Sequence, residues 1–222
     1  ERDKWLRTAR ILMLDVLNPP IYPDLELDAN RRVEVMECLS ADAVRLPAVF
    51  AYAYYQSQAV PHHPQMGRGD VIAEVVSACH TKGFKVIPYF PALQAKLSLL
   101  KLWGHESDWP ALHKDGTPIL LPHGTGKANA DIVVLCPHSG ARKAAREYVR
   151  EAVSNYDVDA VYFDGPVTVI GAYADGFCHC SRCRGAFAQE EGTAPPENDR
   201  YDWEDPLSMR HCLWQRQDGV NM

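Results

Sequence analysis

Apolar residues recur along the chain with two different spacings, which predict strands and helices in turn. Strands are predicted by four short apolar runs, at 10–17, 43–46, 84–90 and 158–164. Helices are predicted by apolar side chains at helical spacing, at 28–39, 70–82, 141–156, 182–191 and 206–217. Asp28 is the expected N-cap of the first helix, and Gly83 is expected to end the second.

The alternation of strands and helices predicts parallel strands joined by right-handed crossovers. A doubly wound sheet would also fit, but the first strand-to-helix turn, at 15–19, has no glycine-rich phosphate loop. Long, aromatic loops after the strands favour a (β/α)8 TIM barrel. The strands amount to about half of such a barrel, whose usual length is ~250 residues. We therefore expect residues 1–222 to form the N-terminal part of a single (β/α) barrel catalytic domain, or one piece of a barrel split across polypeptides.

The composition and charge of the chain indicate which kinds of molecule it is expected to bind. The 222 residues are 46% hydrophobic and carry a formal net charge of −6, without a Lys/Arg-rich run. That balance argues against nucleic acid or an anionic membrane as the main partner. No apolar run approaches the ~20 residues of a membrane span, and the charged N-terminus lacks the apolar core of a signal peptide. With reduced thiols, these features favour a cytoplasmic location. The expected protein partner is a second copy of the chain or the remainder of the barrel.

The residues best suited to chemistry lie in one stretch, 158–187. Its apolar run ends on Asp164-Gly165-Pro166. A carboxylate at the C-terminal end of a buried parallel strand lies where α/β barrels place their catalytic groups. The spacing Cys178-x-Cys180-x-x-Cys183 follows shortly afterwards. Three thiols this close together do not pair easily with one another, but they can converge on one metal ion.

These motifs resemble known glycosidase families. YFDG at 162–165 resembles the strand-end motif that carries the nucleophilic aspartate of α-L-fucosidase-type enzymes, and 67–90 resembles the second helix and third strand of the same clan. CPHS at 136–139, followed by FDG and by FCHCSRCRGAF at 177–187, resembles two groups. One is the zinc-containing β-galactosidases. The other is a family of glycosyl hydrolases with poorly defined substrates that carries FDGP and CxCxxCRxxF, and this match covers nearly the whole chain.

The resemblance implies a TIM-barrel glycosidase that acts on a carbohydrate by a retaining mechanism. Asp164 is then the catalytic nucleophile, and retention requires a second carboxyl group about 5 Å away as acid/base. The alternative for Asp164 is a structural turn residue, because Asp-Gly is also a turn dipeptide. The sequence identifies no convincing acid/base.

Other polar and aromatic side chains are candidates for binding a sugar. Asp15 ends the first predicted strand and suits hydrogen bonds to hydroxyls, although a turn or helix-entry role fits equally well. Tyr89 ends the third strand and could line the same cavity. The loop after the second strand contributes four more candidates, for which a packed loop is the competing interpretation: Tyr54, Tyr55, His62 and His63.

The cysteines predict a structural metal site. Zn²⁺ prefers four tetrahedral S or N ligands, and Cys136 is the natural fourth ligand beside Cys178, Cys180 and Cys183. In the zinc β-galactosidases that the chain resembles, an upstream Cys joins CxCxxC in this way, although the usual CxNSP is here CPHSG. His179 is a competing ligand, and free surface thiols are the alternative to a metal site. The other three cysteines are expected to be buried packing residues: Cys38, Cys79 and Cys212.

Three functions follow from these patterns. The leading hypothesis is a retaining glycoside hydrolase with an Asp nucleophile and a structural zinc. The second is a non-catalytic or incomplete carbohydrate-binding half barrel that needs another chain for activity. The third is a zinc-stabilised interaction module without sugar chemistry.

Overall fold

The computed structural model describes residues 4–13, 28–49, 52–121, 131–164, 177–198 and 200–220, the last five of them by their backbone. The chain forms two compact units. Unit 1 comprises Glu1–Phe90 and Glu147–Asp164, and unit 2 comprises Pro91–Arg146 and Gly165–Met222.

The elements alternate between strand and helix over much of the chain. In chain order they are β1 (Ile11–Met13), α1 (Ala29–Cys38), β2 (Ala43–Pro47), α2 (Val71–Thr81), β3 (Lys85–Pro91), β4 (Gln94–Lys96), α3 (Leu97–Trp103), β5 (Ile132–Val134), α4 (Gly140–Asn155), β6 (Tyr162–Asp164), α5 (Ser181–Glu191) and α6 (Pro206–Val220). No helix among the described residues is long and apolar enough to span a bilayer.

Unit 1 is built on a four-stranded sheet in the order β1-β2-β3-β6. β1 pairs with β2 and β2 with β3, both in parallel, as the alternation of elements predicts. In this register Met13 lies opposite Arg45, and Pro47 lies opposite Tyr89. Because parallel strands run in one direction, the last residues of β2 and β3 lie side by side at the same end of the strands.

The helices of unit 1 begin where the sequence predicts. The side chain of Asp28 caps α1 by accepting hydrogen bonds from the backbone N–H groups of Asn30 and Arg31. Asp70 caps α2 by accepting from the N–H of Ala73. Each cap satisfies N–H groups that lack a partner within the helix. Gly83 follows α2 with φ of +78°, a conformation that glycine adopts without strain.

The core of unit 1 lies between the sheet and the apolar faces of α1 and α2. All five residues of β2 are buried, as are Met36 of α1 and Cys79 of α2. Their sulfur atoms, Sδ and Sγ, lie 3.9 Å apart. Cys38 is exposed, so its predicted burial is wrong. It lies at the last turn of α1, beyond the buried stripe.

Two segments differ from the sequence-based prediction. Residues 91–130, which fall between the predicted strands and helices, contain β4 and α3. In unit 2, β4 pairs antiparallel with β5, with Ala95 opposite Val133, and this pairing covers three residues, too few to give a periodic signal. β6 is shorter than predicted, and Val161 and Tyr162 are about two-fifths exposed because β6 lies at the edge of the sheet.

Candidate functional site

The first candidate site lies at the ends of β3 and β6 in unit 1. Asp164 is the last residue of β6 and is half-buried. The Tyr89 phenol, near the end of β3, donates a hydrogen bond of 2.9 Å to Asp164 Oδ2. Two of the residues predicted to form the site are therefore in direct contact. A carboxylate fixed by a phenol at a strand end has one oxygen oriented by the protein, an arrangement suited to a nucleophile.

Tyr162 and Arg45 complete this group of side chains. The rings of Tyr89 and Tyr162 stack with centroids 5.9 Å apart and planes at 19°. The Cζ atom of Arg45, from β2, lies 5.1 Å from the Tyr89 centroid and 4.7 Å from the Tyr162 centroid. Both distances are within the range of cation–π attraction. The four residues Arg45, Tyr89, Tyr162 and Asp164 are called the Arg-Tyr cluster below.

Arg45 and Tyr162 are not among the site residues predicted from the sequence, although the sequence carries a signal for each. Tyr162 precedes Asp164 by two positions, and side chains two apart on a strand point to the same face. Arg45 is the one charged residue in the otherwise apolar strand Ala43–Pro47. A cation at the centre of a buried run is rare unless it is paired, so it marks a position of interest.

The tyrosines of the loop after β2 are packed into unit 1. Tyr54 and Tyr55 are fully buried. The Tyr55 hydroxyl donates to the Tyr148 carbonyl oxygen at 2.8 Å and also contacts the Glu151 carboxylate at 3.1 Å. Burial raises the pKa of Tyr54 to about 12, and burial followed by the charge of Glu151 raises the pKa of Tyr55 further. This is the packed-loop arrangement, and a substrate-binding role for these two side chains remains a prediction.

The two histidines of that loop have different surroundings. His62 is exposed. His63 is buried, stacks on Tyr54 at 5.7 Å between ring centroids, and accepts a hydrogen bond at Nδ1 from the Gln65 N–H. Burial lowers the pKa of His63, which favours the neutral ring. His62 is thus the loop histidine that solvent reaches. Asp15 lies outside the described residues.

The second candidate site is a cluster of four cysteines in unit 2. The sulfur atoms of Cys136, Cys178, Cys180 and Cys183 all lie within 4.8 Å of one another, and all four residues are buried. Cys136 Sγ is 3.5 Å from Cys180 Sγ and 3.4 Å from Cys183 Sγ. These separations far exceed a disulfide bond of about 2.05 Å. They are close to the ~3.8 Å edge of a tetrahedron with Zn–S bonds of ~2.3 Å.

Two backbone segments bring these thiols together. Cys136 follows β5, and its N–H donates to the Trp109 carbonyl at 2.7 Å. Ser139 holds the following turn, since its N–H and hydroxyl both donate to the Cys136 carbonyl oxygen. Cys180 is the N-cap of α5, and Cys183 lies in the first turn of that helix. A short turn and a helix start therefore present the sulfurs toward one point, which also explains the spacing CxCxxC.

The surroundings of the thiols suit a closed metal site. Ala111, Ile119 and Val134 pack around the sulfurs. The hydrogen bonds with Cys178 and Cys180 raise the pKa of the Cys136 thiol. The hydrogen bond with Cys136 is the main cause that lowers the pKa of Cys180. Four convergent sulfurs in an apolar shell form a soft donor set with no position left for a substrate, which fits a structural metal ion.

The parallel sheet and the strand-end carboxylate together define the class, an α/β protein with its candidate chemistry at the strand ends. Residues 28–165 match the family GHL6, described as Hypothetical glycosyl hydrolase 6. This match covers more than half of the 222 residues. The chain belongs to that family, and the matched region includes the whole Arg-Tyr cluster. No curated protein matches the sequence.

A solved structure supports the fold. The chain is similar to α-L-fucosidase isoenzyme 2 from Paenibacillus thiaminolyticus, with a TM-score of 0.71 and 18% identity over 96% of this chain and 29% of that one. It also matches a glycoside hydrolase 29 family member from an unknown rumen bacterium, with a TM-score of 0.48 and 14% identity over 97% of this chain and 34% of that one. At such identity, the first likeness establishes the fold alone. The chain spans about a third or less of the length of these enzymes.

Proposed function

We propose that the protein is a glycoside hydrolase that acts on a carbohydrate by a retaining mechanism, with Asp164 as the nucleophile. The observation that carries this proposal is the position of Asp164, at the end of a strand and hydrogen-bonded to Tyr89. The family match adds the chemical class, and it includes this residue.

The chemistry that follows has two displacements. Asp164 attacks the anomeric carbon while an acid protonates the leaving oxygen, and a glycosyl ester forms. Water then attacks the anomeric carbon of that ester, and the acid/base group, which lost its proton in the first step, now accepts one from the water. The sugar leaves with its configuration retained. Because Tyr89 holds Oδ2, Oδ1 is the oxygen we assign to the attack. The acid/base is not assigned to a residue of this chain.

We propose further that the chain is the N-terminal part of a (β/α)8 barrel. The two outer strands of the sheet expose apolar side chains, namely Ile11 and Met13 on β1 and Tyr162 on β6. An eight-stranded barrel has no free edge, so four more strands would cover both edges and would supply positions for the acid/base.

We assign a structural Zn²⁺ to the cysteine cluster. The four thiolates, once deprotonated, would hold the ion between the turn at Cys136 and the start of α5. The donor set, the sulfur separations and the apolar shell all favour zinc in a closed site over a catalytic metal. The ion would stabilise unit 2 and take no part in the reaction.

A trapping experiment tests the nucleophile. The full-length protein is assayed on a panel of 4-nitrophenyl glycosides that includes the α-L-fucoside, and the glycoside it hydrolyses is then replaced by the matching 2-deoxy-2-fluoro glycosyl fluoride. We expect mass spectrometry to find the fluorosugar on the peptide that contains Asp164. Turnover with label on another carboxylate would refute the assignment of Asp164. Sugar binding without cleavage of any glycoside would instead support the non-catalytic half barrel.

A further inference from the structure

Arg45 is an unusual residue for its position. It lies at the centre of β2, where every residue is buried, and it is only 8% exposed. Burying a guanidinium costs free energy unless the surrounding groups compensate for the lost water. Two aromatic faces are among the groups that surround it, and Cζ lies about equally far from the rings of Tyr89 and Tyr162.

The two rings are themselves arranged around this cation. Their planes differ by 19°, so the guanidinium contacts two nearly parallel faces. A guanidinium is planar, which makes its contact with an aromatic face directional. Tyr89 is the ring that also reaches Asp164, through a hydrogen bond of 2.9 Å. The geometry therefore links Arg45 to Asp164 through one tyrosine.

We propose that Arg45 is a positioning residue, which holds the phenol of Tyr89 against the Asp164 carboxylate through its shared contact with the Tyr89 and Tyr162 rings. The consequence for catalysis rests on the proposed function, but the positioning itself does not. Arg45 would act from the neighbouring strand without touching the substrate. Tyr162 would serve as the second face that keeps the guanidinium in place.

Tyrosine NMR tests the positioning without a substrate. The full-length protein is labelled with ¹³C at the tyrosine Cζ atom, and the Tyr89 resonance is identified by its loss in Tyr89→Phe. We expect Asp164→Asn to shift this resonance, because the phenol loses a charged acceptor. We expect Arg45→Met to shift it in the same direction, and Asp164→Asn added to Arg45→Met to produce little further change. Near-additive shifts, or an unchanged Tyr89 resonance in folded Arg45→Met, would overturn the proposal.

Further variants test whether the charge and the planar shape of the Arg45 side chain, and not the loss of any buried arginine, position Tyr89. Arg32→Met removes a half-buried arginine of α1 and should leave the Tyr89 resonance in place. Arg45→Lys keeps a cation but loses the planar guanidinium, so we expect a shift between those of the wild type and Arg45→Met. If Arg45→Met does not fold, Tyr162→Leu tests the contact from the other side. An unchanged Tyr89 resonance in Tyr162→Leu would then refute the shared contact.

Kinetics distinguish the failure of this inference from the failure of the proposed function. On the aryl glycoside that the wild type hydrolyses, we expect Arg45→Met to lower kcat by roughly tenfold to a hundredfold, because a misplaced nucleophile reacts more slowly. We expect KM to stay within about threefold of the wild type, since Arg45 does not touch the substrate. Wild-type kcat in Arg45→Met would refute the positioning role and leave the glycosidase intact. If the wild type cleaves no glycoside, the proposed function fails, and the NMR result alone decides the positioning.

Discussion

The Tyr89 phenol donates a 2.9 Å hydrogen bond to the Asp164 carboxylate, although the two residues are 75 positions apart in the sequence. They meet because β3 and β6 are neighbours in one sheet and each carries its polar residue near its end. Pairing of two strands that are distant in the sequence places their last residues side by side, and in α/β barrels these strand ends carry the catalytic groups.

Removing this hydrogen bond should slow the reaction without unfolding the protein. Tyr89→Phe keeps the ring that stacks on Tyr162 and contacts Arg45, and it deletes only the hydroxyl. A hydrogen bond to a charged group contributes about 1.5–3 kcal/mol, so we expect kcat to fall roughly tenfold to a hundredfold. Steady-state kinetics on the aryl glycoside that the wild type cleaves measure the effect.

The control for Tyr89→Phe is Tyr148→Phe, which deletes another buried hydroxyl of unit 1 and should leave kcat near that of the wild type. Equal losses of activity in the two variants would point to general destabilisation of unit 1. Full activity in Tyr89→Phe would mean that the Asp164 carboxylate is held by other groups.

Neutralising Asp164 should abolish cleavage and preserve binding. Asp164→Asn provides an amide that can neither attack the anomeric carbon nor stabilise its positive charge, yet it still hydrogen-bonds to hydroxyls. We expect circular dichroism and zinc content to match the wild type, whereas turnover is lost. Azide should partly restore the activity of Asp164→Gly by entering the space left by the carboxylate. Near-normal turnover in Asp164→Asn would make Asp164 a structural turn residue.

The cysteine cluster should bind one zinc per chain and stabilise unit 2. Cys178→Ser removes one of four soft ligands and leaves a weakly binding hydroxyl in an apolar shell. Since the binding energy of a structural zinc is folding energy, we expect zinc to be lost and Tm to fall by roughly 10 °C. Inductively coupled plasma mass spectrometry and thermal unfolding give the two values.

The exposed Cys38 provides the matched control for this experiment. Cys38→Ser should keep full zinc content and the wild-type Tm, because its thiol is not part of the cluster. Zinc retained at one equivalent in Cys178→Ser would show that Cys178 is not a ligand, and the role of His179 would then be the next to test.

Much of this arrangement is readable from the sequence, for physical reasons. The spacing CxCxxC fixes three thiols within one turn and a helix start, so their convergence follows from local geometry. The alternation of elements predicts parallel strands. Because Tyr89 and Asp164 each lie near the end of a predicted strand, the two residues are expected at the same end of the sheet. Neither conclusion needs knowledge of long-range packing.

Other features depend on tertiary contacts that sequence patterns do not record. Tyr54 and Tyr55 look like binding residues, but their depth is set by elements distant in sequence, such as the Tyr148 carbonyl that Tyr55 contacts. The role of Arg45 requires the register between β2, β3 and β6. The exposure of Tyr162 follows from its place in the outermost strand of the sheet, which apolar composition alone cannot reveal.

Asp159 should make the stability of unit 1 depend on pH. Its carboxylate accepts hydrogen bonds from Lys85 Nζ at 2.6 Å and from the Val86 N–H at 2.9 Å, and it lies 2.9 Å from His80 Nε2. Burial acts to raise the pKa of Asp159, but Lys85, the Val86 amide and His80 together hold it below its usual value. The folded state thus favours the charged carboxylate more strongly than the unfolded chain does.

The sign of the pH effect follows from that difference. A carboxyl group whose pKa is lower when folded adds stability above its unfolded pKa of about 3.9, and this stability is lost as the pH falls through the folded value. Asp159→Asn should therefore reduce the free energy of unfolding by about 2 kcal/mol at pH 7 and much less at pH 3. Urea unfolding at the two pH values, with Asp157→Asn as the control because that side chain is 95% exposed, measures the difference. Equal losses at both pH values would show that Asp159 acts through its shape and not its charge.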